Sequence, residues 1–158
     1  MHPTTIAISL SALMLLAAAP NPSEPKPATA PTPAAEGTKE PDHITIQHVL
    51  VGFTGSVPGK NISRTQDEAK KLADEILARA KKGENFDELV KKYTDDSAPG
   101  IYSMANHGVV SAAGEYPRGR MVAAFGDAGF PLQVGEIGMA SYDSTKSPFG
   151  WHIVKRLK

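Results

Sequence analysis

No cysteine occurs anywhere in this chain of 158 residues. That absence removes disulfides, thiolate nucleophiles, thiolate zinc sites and lipid attachment through cysteine. It leaves the compartment open and is compatible with an oxidising one. A surplus charge of one sign is missing too, because 17 Lys and Arg offset 17 Asp and Glu. Without a basic surplus, neither nucleic acid nor an anionic membrane surface is expected as a partner. Nor is any apolar run long enough to span a bilayer comfortably. The longest, Ile6 to Ala19, has 14 residues, against about 20 for a spanning helix.

What is there begins with that run. It ends in small residues and suits the apolar part of a secretory signal, residues 1–19. Its flank, MHPTT, has no Lys or Arg, and a cut after Ala19 would meet Pro20, so Ala17 and Ala18 are alternative cleavage points. The competing reading is an uncleaved segment that tethers the chain to a membrane. Export to a periplasm or cell envelope is expected either way. Residues 20–42, PNPSEPKPATAPTPAAEGTKEPD, are dense in proline and lack large apolar side chains. Such a stretch cannot bury enough surface to offset chain entropy and reads as an extended linker. Residues 43–158 are left as a single domain. At 41% hydrophobic and 22% charged residues the chain can build a real core.

Residues 44–53 alternate and are rich in Ile and Val, as a strand requires. Thr65 with Glu68 forms a capping box opening a helix, whose buried stripe runs through Ala69, Leu72, Ala73, Ile76, Leu77 and Ala80 to Gly83. Asn85 with Glu88 reads as a second box, ahead of a short helix with Phe86, Leu89, Val90 and Tyr93 inward. From Asp95 to Arg120 the pattern dissolves, with one short strand expected near Gly108 to Ser111. A helix over Met121 to Phe130, a turn, another strand and the closing strand WHIVKRL follow. This order predicts an α+β domain with a small sheet and its first and last strands at the centre. Each of those two strands carries an imidazole where a core residue would be expected. His48 shares the parity of Ile44, Ile46 and Leu50, and His152 sits within WHIV, with Trp151 turned to the opposite face.

The segments QHVLV, FDELVKKYTDDSAPG, RGRMVAAFGDAGFPLQVGEIG and SPFGWHIVKRL occur in one order at compatible spacing. Together they resemble the parvulin-type peptidyl-prolyl cis-trans isomerases over residues 44–157. The resemblance implies a four-stranded antiparallel sheet wrapped by helices, with the two histidine-bearing strands adjacent. It assigns His48 and His152 to the paired histidines beneath the active site. Asp96 falls at the position held by cysteine or aspartate, and Ser147 at one whose hydroxyl bonds a histidine. Met121 and Phe125, read as i and i+4 on one helix face, fall in the proline pocket, with Phe149 beside it. Where relatives carry a short GGDLG turn, this chain has GIYSMANHGVVSAAGEY, so Tyr102, Met104 and His107 all remain candidates for the pocket residue that turn supplies. The loop after the first strand offers only Lys60 and Arg64, which argues against selection of phosphorylated targets.

Amide rotation makes and breaks no bond, so neither cofactor nor metal is expected, and no metal-ligand spacing of a known class is present. Two buried imidazoles on neighbouring strands can satisfy each other. That pair either orients Asp96 and the pocket floor or is merely core. Proline-containing polypeptides are the expected partners of a monomer. The alternative function is a parvulin-like module that holds unfolded chains with little isomerase activity, and a third is an adaptor domain of the envelope.

Overall fold

Alternation along HITIQHVLV gives β1, His43–Val51, two different apolar faces. In the computed structural model, which describes residues 39–158, Ile44 and Ile46 enter one core and Val49 and Val51 the other. A register slip of one residue would exchange the two faces, so the pairing of β1 is strongly specified. The expected signal, and the linker as far as residue 38, lie outside the described residues. Among the described residues no helix is long and apolar enough to cross a membrane.

The capping box at Thr65 is closed in both directions, with Glu68 N–H donating to the Thr65 hydroxyl and Thr65 N–H to the Glu68 carboxylate. It opens α1, Gln66–Lys81, which buries Ala69, Ala73, Ile76 and Ala80. Small residues at three of those four positions let the helix lie close on the sheet. Asn85 caps α2, Phe86–Tyr93, by accepting from the N–H groups of Asp87 and Glu88. The second box is only half made, because Glu88 pairs forward with Lys91 instead of reaching back. Both helices cover the face that carries Val49, Val51, Trp151 and Ile153. Trp151 packs there with Phe53 and Tyr142, as its parity required.

The sheet has five strands, in the order β3-β2-β1-β5-β4. These are β2, Ile101–Ala105; β3, Tyr116–Pro117; β4, Ile137–Ala140; and β5, Trp151–Arg156. The first and last strands lie side by side, antiparallel, from Ile46↔Arg156 to Val51↔Trp151. The expected count of four antiparallel strands is corrected by β3, a two-residue strand pairing parallel to β2. The strand expected near Gly108 to Ser111 does not form. Gly108 and Gly114 take positive φ there, and residues 106–115 run as a looped excursion. Strand pairing falls instead on IYSMA, where Met104 meets Ile44 and Tyr102 meets Ile46 across the β1–β2 ladder.

The helix expected over Met121 to Phe130 is shorter than its sequence pattern. A single 3₁₀ turn, Arg118–Arg120, comes first, Met121 follows in extended backbone, and α3 spans Ala123–Gly129. Met121 and Phe125 therefore do not share one helix face. α3 covers the second face of the sheet, over Ile44, Ile46, Met104 and Val154, with Phe125 and Phe130 inward.

Candidate active site

β1 is flanked by β5 along its second half, but β2 pairs only with residues 43–47. Beyond that point the strand's other edge is taken over by the segment after α2. His48 N–H donates to Gly100 O (2.9 Å), Leu50 N–H to Thr94 Oγ1 (3.1 Å) and Gly52 N–H to Asp95 Oδ2 (2.8 Å), while Asp95 N–H donates to Leu50 O (2.8 Å). This zipper satisfies the strand edge and fixes the backbone of Asp96 beside His48. Gly100 is required for the approach. It stands at φ +64°, and a Cβ there would lie 2.7 Å from His48 O.

The side chains then form one chain of polar contacts. Tyr102 O–H donates to Asp96 Oδ2 (2.9 Å), and His48 Nε2–H donates to the same oxygen (3.0 Å). His48 Nδ1 and His152 Nδ1 share a hydrogen bond at 3.1 Å, with the rings nearly parallel. Both imidazoles are buried, at 3% and 4% exposed. The His48 hydrogen bond, opposed by partial burial and helped by Tyr102, holds the Asp96 carboxyl well below the usual carboxylate range. Burial pushes the Tyr102 phenol up to about 12, with the Asp96 hydrogen bond adding to it. Burial, with the neighbouring His48 adding to it, pushes His152 down to about 3. Asp96 is thus an anion and His152 a neutral ring at ordinary pH.

Above this chain opens a cleft of about 300 Å³. Phe125 stands edge-on to both imidazoles, with ring centroids 4.8 Å from His48 and 5.3 Å from His152. Met121 and Val122 rise from the turn before α3, and Leu50 from β1. Val57, Pro58 and Phe149 complete the rim. Ser56 staples that rim, accepting from Phe53 N–H (2.8 Å) and donating to Phe149 O (2.9 Å). Apart from the histidines, Asp96 and the Tyr102 hydroxyl, the lining is apolar, and its volume suits a prolyl ring with its neighbours.

The structure brings His48, His152, Asp96, Tyr102, Met121, Phe125 and Phe149 to this one cleft. Two expectations are corrected. Met104 is fully buried behind the cleft against Ile44, so it is core and cannot touch a substrate. Ser147 does not bond a histidine. The tight turn before β5 aims the Gly150 carbonyl at its hydroxyl, which donates there at 2.8 Å. His152 Nε2 has no hydrogen-bond partner among the described residues. His107 lies on the loop beside Gly119 and does not line the cleft. Leu50, Val57, Pro58 and Val122 went unread. Leu50 shares the parity of His48, whereas the Val57-Pro58 corner lies in a glycine-rich loop with no periodic signal. Arg64 Nη1 is engaged by the Asp95 carboxylate and Gly52 O, and Arg64 does not line the cleft. Among the described residues no cluster of three His, Cys, Asp or Glu side chains is arranged to hold a metal ion.

Comparison with known proteins gives the family and the fold. The chain is 35% identical over 130 residues to the putative peptidyl-prolyl cis-trans isomerase dodo of Drosophila melanogaster, covering 78% of this chain and 70% of that one. It is 38% identical over 86 residues to the foldase protein PrsA of Geobacillus kaustophilus, covering 54% of this chain but only 27% of the foldase. The peptidyl-prolyl isomerase ESS1 from Candida albicans superposes with a TM-score of 0.58 at 26% identity, over 74% of this chain and 63% of that structure. Residues 34–158 match the family model of the PPIC-type PPIase domain, and by that match the chain belongs to the parvulin-type peptidyl-prolyl cis-trans isomerases.

Proposed function

We propose that this chain accelerates cis–trans isomerisation of Xaa-Pro bonds in exported or folding polypeptides by a non-covalent route. The observation that carries the proposal is an apolar cleft of about 300 Å³ with a fixed carboxylate, Asp96, at its rim. The planar imide draws stability from charge separation, oxygen negative and nitrogen positive, and the barrier to rotation is about 20 kcal/mol. Twisting the bond cancels part of that separation. Apolar walls from Met121, Val122 and Phe125 strip water from the imide and weaken the planar form relative to the twisted one. A carboxylate facing the carbonyl repels the planar form's oxygen more strongly than the twisted form's. A thousandfold acceleration asks these effects for roughly 4 kcal/mol in all. The His48–His152 pair serves as the scaffold that aims Asp96, and neither ring shuttles a proton.

Neither Lys60 nor Arg64, the only basic residues of the loop after β1, lines the cleft, which supports a substrate range without phosphate selection. The apolar run at residues 6–19 supports export to a periplasm or cell envelope, with the proline-rich stretch as release or tether, and the acting unit is taken as a monomer. A second reading is favoured by the same apolar lining and by likeness to a foldase: a cleft that grips unfolded chains and rotates them little.

Exchange NMR on a set of short Xaa-Pro peptides separates the two, with the full chain and a Met121→Ala control. Acceleration that disappears in the variant supports the isomerase. Peptide binding without acceleration would replace it by the holding module.

A further inference from the structure

Arg118 lies in the 3₁₀ turn with its side chain only 10% exposed, and it does not touch the cleft. Its Nη1 donates to Glu40 Oε2 (2.6 Å) and Asn106 Oδ1 (2.9 Å), and its Nη2 to Asp127 Oδ1 (2.8 Å). The guanidinium also stacks over the Phe130 ring, 4.5 Å from its centroid. Gly126 makes room for it, since a Cβ there would come within 2.9 Å of Arg118 Cγ. One cation thereby joins the segment ahead of β1, the end of β2 and α3. Asn106 reinforces the first of these links, donating from Nδ2 to Pro41 O (3.1 Å) and from its N–H to Asp42 O (2.8 Å). The backbone that Arg118 anchors runs directly into the cleft wall, because Met121 N–H donates to Arg118 O (3.1 Å).

We infer that Arg118 and Glu40 form a positioning clamp that sets the distance of the Met121–Phe125 wall from the His48–His152 floor. Residues 40–42, at the end of the proline-rich stretch, on this view position the cleft wall through Arg118 rather than serving as a passive linker. The inference rests on the isomerase reading above and extends it to the chain ahead of the first strand. A planar guanidinium can hold two carboxylates in two fixed directions at once, which an ammonium cannot. Partial burial protects the arrangement from the screening that weakens surface pairs. Removal of Glu40 leaves Arg118 held by Asn106 and by Asp127 of α3, so the turn carrying Met121 and Val122 loses one of its two charged anchors. That loosens ground-state and transition-state binding alike, and the effect belongs in KM.

The test uses the full chain and its Glu40→Ala, Glu40→Gln and Arg118→Lys variants. KM and kcat are read by exchange NMR on a leucyl-prolyl tetrapeptide, and the Met121 methyl shift is followed separately. Glu40→Ala and Arg118→Lys are expected to raise KM about three- to tenfold, inside the range of couplings through packed networks. They should leave kcat nearly unchanged and move the Met121 methyl in one direction. Glu40→Gln keeps an acceptor oxygen and recovers part of the loss. Unaltered KM and methyl shift in both Glu40→Ala and Arg118→Lys, with the fold intact by Trp151 emission, would overturn the clamp. So would a fall in kcat alone. If the wild-type chain binds the tetrapeptide without turning it over, the isomerase reading fails separately. The dissociation constant then replaces KM: a rise in both variants upholds the clamp, and an unaltered constant and methyl shift overturn it.

Discussion

A carboxylate oxygen that already accepts an imidazole N–H and a phenol O–H is a weak nucleophile toward an amide and a well-held charge. Asp96 is in that position, with both His48 and Tyr102 on Oδ2 and its side chain one-third exposed toward the cleft. Asp96→Asn keeps the shape and deletes the charge. It is expected to lower kcat by roughly ten- to hundredfold, at or below the roughly hundredfold minimum for loss of one preorganised oxyanion donor, with a smaller change in KM. Exchange NMR on the tetrapeptide checks this, and undiminished turnover would remove the charge from the mechanism. At this scale the two histidines were legible because each broke a hydrophobic parity, and the resemblance placed Asp96. Ser147 was misread because its partner is decided by a backbone carbonyl. The orientation of Gly150 O comes from the turn geometry, which residue types at positions 147 and 152 do not encode.

Elements that carry their own punctuation were readable, and those that borrow their structure were not. α1 has a reciprocal cap, an unbroken stripe and a glycine at φ +92° behind it. β2 has five residues, IYSMA, with Ile101 half exposed, and it becomes a strand only because β1 offers an edge. β3, with two residues, depends on β2 in turn. The last turn shows how an element's geometry reaches the site. Gly150 stands at φ +138°, and a Cβ there would lie 2.1 Å from Val51 O, which is backbone and cannot rotate away. Gly150→Ala is expected to cost at least about 2 kcal/mol, from strain in the left-handed region together with the clash. It should also weaken peptide binding, since the displaced turn carries Phe149. Urea unfolding measures the first effect, with Gly55→Ala as comparison. Gly55 has φ +79° and open space around its Cβ, so its loss is limited to the backbone preference of about 1–2 kcal/mol. Equal losses in the two variants would show that contact with β1 is not the cause.

For the molecule as a whole, burying the histidine pair between two central strands ties stability to pH. His152 is neutral in the folded protein because burial, then His48, pushes its pKa down to about 3, whereas an unfolded imidazole titrates near about 6.5. Between those values the unfolded chain binds a proton that the folded one refuses. Stability therefore rises with pH across that interval and is lost as pH falls, with a slope of up to about 1.4 kcal/mol per pH unit from this one group. Asp96 acts in the same direction but lower. Its carboxyl is held below the usual range, so its contribution is complete above about pH 5 and is lost progressively beneath it. The carboxyls of Glu68, Glu84 and Glu115 are also held low by their hydrogen bonds, and they add their own loss only nearer their unfolded values. The window from about pH 6.5 to 5.5 is thus where the imidazole stands out. Urea unfolding at half-unit steps should show stability declining through that window, while the His152 ring signals in the folded protein stay fixed. A flat profile, with His152 titrating near its unfolded value, would mean that the ring is open to water and that the floor of the cleft is not the sealed pair described above. A sloping profile with a silent His152 would mean that the pair which aims Asp96 is also where acid first attacks the fold, joining site and stability in the same two strands.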